Sequence, residues 1–183
     1  MATPSATPPA RRLLRWIYTT AASAVLVLAA LAAVLVLTTT KSPADAEPRL
    51  DVPAAFTAPL TEYGTLCDGV DPALLGAQVH IESKFEKGHV SAAGATGYAQ
   101  MLPRDWAQYG HGGDPNNPRD AVRALAELDC SLLAVAHARG CLGEDAVRVM
   151  LAMYNAGEAA VRGCTVPANG ETDRYITLVL ALR

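Results

Sequence analysis

The chain has 183 residues, room for one domain plus accessory segments, with a hydrophobic fraction of 51% and a formal net charge of −3. Residues 60–183 carry 15 acidic against 10 basic side chains, a net charge of −5, with no basic stripe. That balance excludes nucleic acid as a partner, because a binder of phosphate backbones needs a basic footprint.

Residues 1–15 form a Pro/Thr/Ala-rich head, read as a disordered cytoplasmic segment. Residues 16–37, WIYTTAASAVLVLAALAAVLVL, contain no charge and are long enough to cross a bilayer core of about 30 Å as a helix. Arg11, Arg12 and Arg15 precede that run, so the positive-inside rule keeps the N-terminus inside and exports the residues C-terminal to it. Two readings compete. One is a single-pass signal-anchor holding the protein to the membrane; the other is a signal peptide cut at Ala44-Asp45-Ala46, giving a secreted protein. The apolar run exceeds the usual signal-peptide length, which favours the anchor. Residues 38–59 hold Pro43, Pro48, Pro53 and Pro59 and are expected to be an extended linker, leaving 60–183 as the folded domain.

Within 60–183 helix punctuation dominates. Asp71-Pro72 is a cap followed by proline at the first helical position, and Leu74, Leu75, Gln78, Val79 and Glu82 then recur at helical spacing. Pro103 opens a short helix that stops near Gly110. Asn117-Pro118 repeats the cap-then-proline pattern before a long amphipathic helix over 118–139, with Gly140 as its stop. Another helix spans 144–156, closed by Gly157, and a last one starts near Glu171 or Thr172. The expected fold class is mostly α.

Cys67, Cys130, Cys141 and Cys164 all lie beyond the membrane segment. An even count in an exported domain predicts two disulfides, and no C-x-x-C pair supports a zinc site. Three connectivities are possible, of which Cys67–Cys130 with Cys141–Cys164 is preferred.

The chemistry centres on VHIESKFEKGHVSAAGATGYAQMLP, residues 79–103. Glu82 lies on or beside an apolar helical stripe, where burial disfavours the ionised carboxyl and makes it an acid near neutral pH. The glycines after it would let backbone approach a ligand closely. His80-Ile81-Glu82 matches half of a zinc deaminase signature, but the P-C-x-x-C half is missing.

Four motifs in order, E-S-K-F, S-A-A-G-A-T-G-Y-A-Q-M-L-P, M-Y-N-A-G and E-T-D-R-Y, resemble the SLT-type lytic transglycosylases, relatives of goose-type lysozyme. The likeness spans about residues 66–180. It implies a lysozyme-like helical domain acting on peptidoglycan glycan strands, and no metal or other cofactor. It also implies roles, residue by residue. Glu82 would be the catalytic acid/base, Ser91 the serine near that carboxyl, and Gln100 a sugar contact. Tyr154 would be the tyrosine whose hydroxyl binds the glutamate, with Asn155 in the same motif. Glu171 and Tyr175 would line the cleft from the last helix. Two positions depart from the pattern: Tyr98-Ala99 replaces Leu-Met before the glutamine, and Met153 replaces alanine before Tyr-Asn.

Ser91 also suits an ordinary loop or cap, Trp106 a buried position, and His111 an exposed one. The resemblance implies cleavage of the MurNAc–GlcNAc bond with a 1,6-anhydro product and Glu82 as the single acid/base. Most glycosidases use two carboxylates, and here no second acidic residue carries a motif. The alternatives are a lysozyme hydrolysing the same bond and a non-catalytic glycan-binding protein.

Overall fold

The structure, a computed structural model, describes residues 50–183. The expected head, the apolar run at 16–37 and most of the proline-rich segment lie outside the described residues. Among the described residues there are six α-helices and one 3₁₀ turn, with only isolated β-bridges. None of these helices is long and apolar enough to cross a membrane.

The folded part begins earlier than the sequence suggested. Helix α1, Ala54–Tyr63, occupies the end of the expected linker, and Pro59 lies inside it. Pro53 immediately precedes the helix, and its carbonyl accepts from Phe56 N at 2.9 Å. Proline is compatible with a helix start, so reading each proline as extended chain erred here. Pro59 forfeits one backbone bond, but Phe56, Pro59 and Leu60 form one buried stripe that holds the helix. The Phe56 ring meets Phe85 and Tyr98, each at 4.8 Å between centroids, so α1 buttresses the loops beyond α2.

Helix α2, Pro72–Ser83, carries Glu82 in its last turn. The Asp71 carboxylate caps it, accepting from Leu74 N at 2.8 Å. Lys84 and Phe85 then both take positive φ, 54° and 61°, turning the chain away directly after the glutamate. Helix α3 is Pro103–Tyr109, and Trp106 and Tyr109 pack on the core without being fully buried. His111 is exposed beside Glu127.

Helix α4, Pro118–Ala138, is capped by Asn117, which accepts from Arg119 N and Asp120 N. It packs against α1, α2 and α3, and most extensively against α5, Gly143–Ala156. Helix α6, Gly170–Leu182, packs on α2 and α5. Its cap is Asn169, accepting from Thr172 N at 2.7 Å, so it starts a residue or two before the expected position. The core between these helices is aliphatic, with Leu74, Leu75, Val79, Leu125, Leu151 and Ile176 fully buried.

Two disulfides tie the connections together: Cys67–Cys130 joins the turn after α1 to the middle of α4, and Cys141–Cys164 joins the segments flanking α5. These are the pairs the sequence favoured. Both ends of the described chain rest on α2. Leu50 lies against Gly76, and Arg183 pairs with Asp71 at 2.8 Å and also with Glu144.

Candidate active site

Glu82 is partly buried where α2, α5 and α6 converge. Removal from water pushes its carboxyl from 4.5 up to about 7, the Tyr175 hydroxyl acting weakly in the opposite direction. At neutral pH this group is therefore a mixture of acid and carboxylate, the condition a general acid/base needs.

The hydroxyl beside Glu82 belongs to Tyr175 of α6, not to Tyr154 as the motif implied. It is buried and faces both Glu82 and Gln78, but makes no hydrogen bond of full geometry with either. Tyr154 of α5 instead donates its hydroxyl to the Ala99 carbonyl at 2.5 Å and stacks on the Tyr175 ring, with centroids 6.4 Å apart and planes 4° from parallel. The reason lies in the loop 89–101, whose turn aims the Ala99 carbonyl at α5. Burial, then the Glu82 charge, raise both phenols well above the ordinary value, so both remain donors.

That loop is held by its own side chains. Gln100 sits at φ 46° and donates its amide nitrogen to the carbonyls of Gly97 (2.8 Å) and His89 (3.0 Å). Its carbonyl oxygen takes part in neither of these bonds. Ser91 is exposed, and its hydroxyl accepts from Ala95 N at 3.0 Å, closing a turn; among the described residues no hydrogen bond joins it to Glu82. The expected use of glycine also differs. At Gly97, φ 73°, an added Cβ would lie 2.2 Å from the Pro115 carbonyl oxygen, which accepts from Tyr98 N at 3.0 Å. The close approach at Gly97 is thus between two loops of the protein, while a Cβ at Gly88 would meet nothing within 4 Å and one at Gly94 only the Pro103 ring at 3.9 Å.

Asn155 uses its side-chain oxygen to accept from Thr172 Oγ1 at 2.9 Å, pinning the start of α6 to the end of α5. This contact sets where Tyr175 stands, one turn further along α6. Glu171 is exposed on the first turn of α6, one turn before Tyr175.

A cleft of about 890 Å³ runs between α3, α4 and the segment after α5. Tyr154 and Asn155 form part of its wall, with Leu102, Asp105, Tyr109 and Arg162 further along. Glu82, Gln100 and Tyr175 are not among its lining residues, whereas Tyr154, stacked on Tyr175, is.

Two members of the site escaped the sequence reading. Gln78, one turn before Glu82 on α2, and Asp129 of α4 are both fully buried, and Gln78 Nε2 donates to Asp129 Oδ1 at 3.3 Å. Burial raises the Asp129 carboxyl well above its ordinary value; the Gln78 hydrogen bond acts against this and the Glu82 charge adds to it. The signal was legible. Val122, Leu125, Asp129, Leu132 and Ala136 form one helical stripe, and a lone acid on an apolar face is the informative exception.

Compared with protein-family models, curated proteins and solved structures, the chain has no match.

Proposed function

We propose that the described domain is lysozyme-like and acts as a peptidoglycan lytic transglycosylase of the SLT type, with Glu82 as its acid/base. The observation that carries this reading is a partly buried glutamate, its carboxyl pushed up to about 7, on the helix that ends in E-S-K-F and facing a tyrosine of the E-T-D-R-Y helix. The four motifs supply the substrate class. A glycan strand would approach Glu82 from the neighbouring cleft walled by Tyr154 and Asn155, which Glu82 itself does not line. Tethered outside the membrane by residues 16–37, or secreted after cleavage near Ala46, the enzyme would meet the cell wall from its inner side or in the medium.

In this mechanism Glu82 protonates the oxygen between MurNAc and GlcNAc as the C1–O bond breaks. The MurNAc N-acetyl oxygen steadies the positive centre at C1. Glu82, now a carboxylate, takes the proton of the MurNAc C6 hydroxyl as that oxygen bonds to C1. The sugar leaves as a 1,6-anhydride without consuming water, and Glu82 ends protonated as it began. Tyr175, a phenol that stays protonated, offers a donor to the carboxylate between the two steps.

The hydrolytic alternative requires a second carboxylate open to the substrate. Asp129 is fully buried and cannot reach C1. Asp105 and Glu158 both line the cleft, paired with Arg104 at 3.0 Å and Arg139 at 2.9 Å, so the hydrolytic reading would have to use one of these two. The deciding experiment is mass spectrometry of glycan fragments released from purified peptidoglycan by the full-length protein, with Glu82→Gln as control. Fragments one water lighter than reducing-end products are expected, and Glu82→Gln is expected to lose about 10²-fold or more in rate. Reducing ends would make the protein a lysozyme. No release by either protein would leave only glycan binding.

A further inference from the structure

Among the described residues, three oxygens at the buried junction behind Glu82 have no hydrogen-bond partner: Asp129 Oδ2, Gln78 Oε1 and Tyr175 Oη. Gln78 Nε2 and Asp129 Oδ1 are joined at 3.3 Å, which leaves Asp129 Oδ2 and Gln78 Oε1 without a donor. An amide oxygen can only accept, and an ionised carboxylate can only accept. Of the two groups only Asp129 can take up a proton, and a protonated Oδ2 would give Gln78 Oε1 the donor it lacks. Among the described residues, the titratable groups whose charge interacts with that of Asp129 are Glu82 of α2, Tyr154 of α5 and Tyr175 of α6, and none of the three is a cation. A charge on Asp129 would be buried and unpaired, an arrangement proteins avoid by neutralising the group.

We infer that Asp129 is held as a neutral carboxylic acid in a reciprocal pair with the Gln78 amide, and that this pair positions the Tyr175 hydroxyl as a donor to Glu82. In the pair, Gln78 Nε2–H donates to Oδ1, and Asp129 Oδ2–H donates to Gln78 Oε1. The orientation of the Gln78 amide is then fixed. Its second N–H is left for Tyr175 Oη, whose own proton points to the Glu82 carboxyl. Were the amide reversed, its oxygen would take the Tyr175 proton and Glu82 would lose its donor. Asp129 and Gln78 are thus positioning residues that never touch substrate. The inference rests on the proposed role of Glu82 only for its consequence in turnover; the protonation of Asp129 stands apart from it.

The test is a carbon-13 NMR titration of the side-chain carboxyls in the full-length protein between pH 4 and 8, assigned by the signals lost in Glu82→Gln and Asp129→Asn. Asp129 is expected to stay protonated throughout while Glu82 titrates. Asp129→Asn keeps a donor and an acceptor, so the Glu82 midpoint and kcat should hold within about threefold of wild type. Asp129→Leu removes the pair; the Glu82 midpoint should rise by about half a pH unit and kcat should fall about tenfold with KM unchanged. An Asp129 signal that ionises anywhere between pH 4 and 8 overturns the inference, and this wild-type measurement stands even if Asp129→Leu fails to fold. So does an Asp129→Asn variant whose Glu82 midpoint drops by a full unit, the mark of a lost like charge. A protein that cleaves no glycan yet titrates as stated would overturn the function proposed above and support the inference.

Discussion

At the scale of single residues, Glu82 is kept at a cost to stability. Its carboxyl ionises near 7 in the folded protein against 4.5 for an unperturbed group. Between those values the folded state holds a proton that the unfolded chain has released, so stability falls as pH rises through this window and is lowest above it. The full displacement corresponds to about 3 kcal/mol. Glu82→Gln removes that penalty. Urea unfolding should find the variant and wild type equal near pH 4 and the variant more stable by up to about 3 kcal/mol at pH 8. Equal stabilities at pH 8 would mean a well-solvated carboxyl and no acid poised for catalysis. Glu82 was legible because a charge on an apolar stripe is rare and its neighbours form a motif. Which tyrosine faces it was not. Tyr154 and Tyr175 stack as near-parallel rings, and the path of the loop 89–101 lets one hydroxyl bind Ala99 and leaves the other beside the carboxyl.

At the scale of elements, the helices after residue 70 were readable from their ends. Asp71-Pro72 and Asn117-Pro118 name their own starting points, because side-chain oxygens there satisfy otherwise free N–H groups. Helix α1 was not readable, since Pro53 and Pro59 argue locally for extended chain while Phe56 and Leu60 argue for burial that only tertiary contact reveals. The contact matters for the site. Phe56 is the aromatic wedge between Phe85, two residues after the end of α2, and Tyr98 in the loop that carries Gln100. Phe56→Ala should lower stability by about 3 kcal/mol or more, as deleting a buried aromatic ring does. A loss under about 1 kcal/mol in urea unfolding would show that α1 is an accessory and not part of the core.

At the scale of the whole molecule, the two disulfides close loops of different size, with separations of 63 and 23 residues. Chain-entropy reasoning assigns about 4 kcal/mol to Cys67–Cys130 and about 3 kcal/mol to Cys141–Cys164. Replacing each pair by serine should therefore destabilise the protein in that order, measured as midpoints of thermal unfolding; the reverse order would mean that the unfolded chain is already compact around α4. The helical class was legible because caps, glycine stops and amphipathic stripes are local. The convergence of α2, α4, α5 and α6 on Gln78, Asp129 and Tyr175 was not, since it depends on which faces meet. Leu50 and Arg183 rest against Gly76 and Asp71, only about a turn and a half apart along α2 and its cap, so residues 50–183 taken by themselves nearly form a closed ring. Joined there by a short bridge and opened instead at the exposed turn around Gly112, it would keep every helix, both cross-links and the carboxyl at its centre. The order of the helices along the polypeptide is then a matter of where the ring is cut.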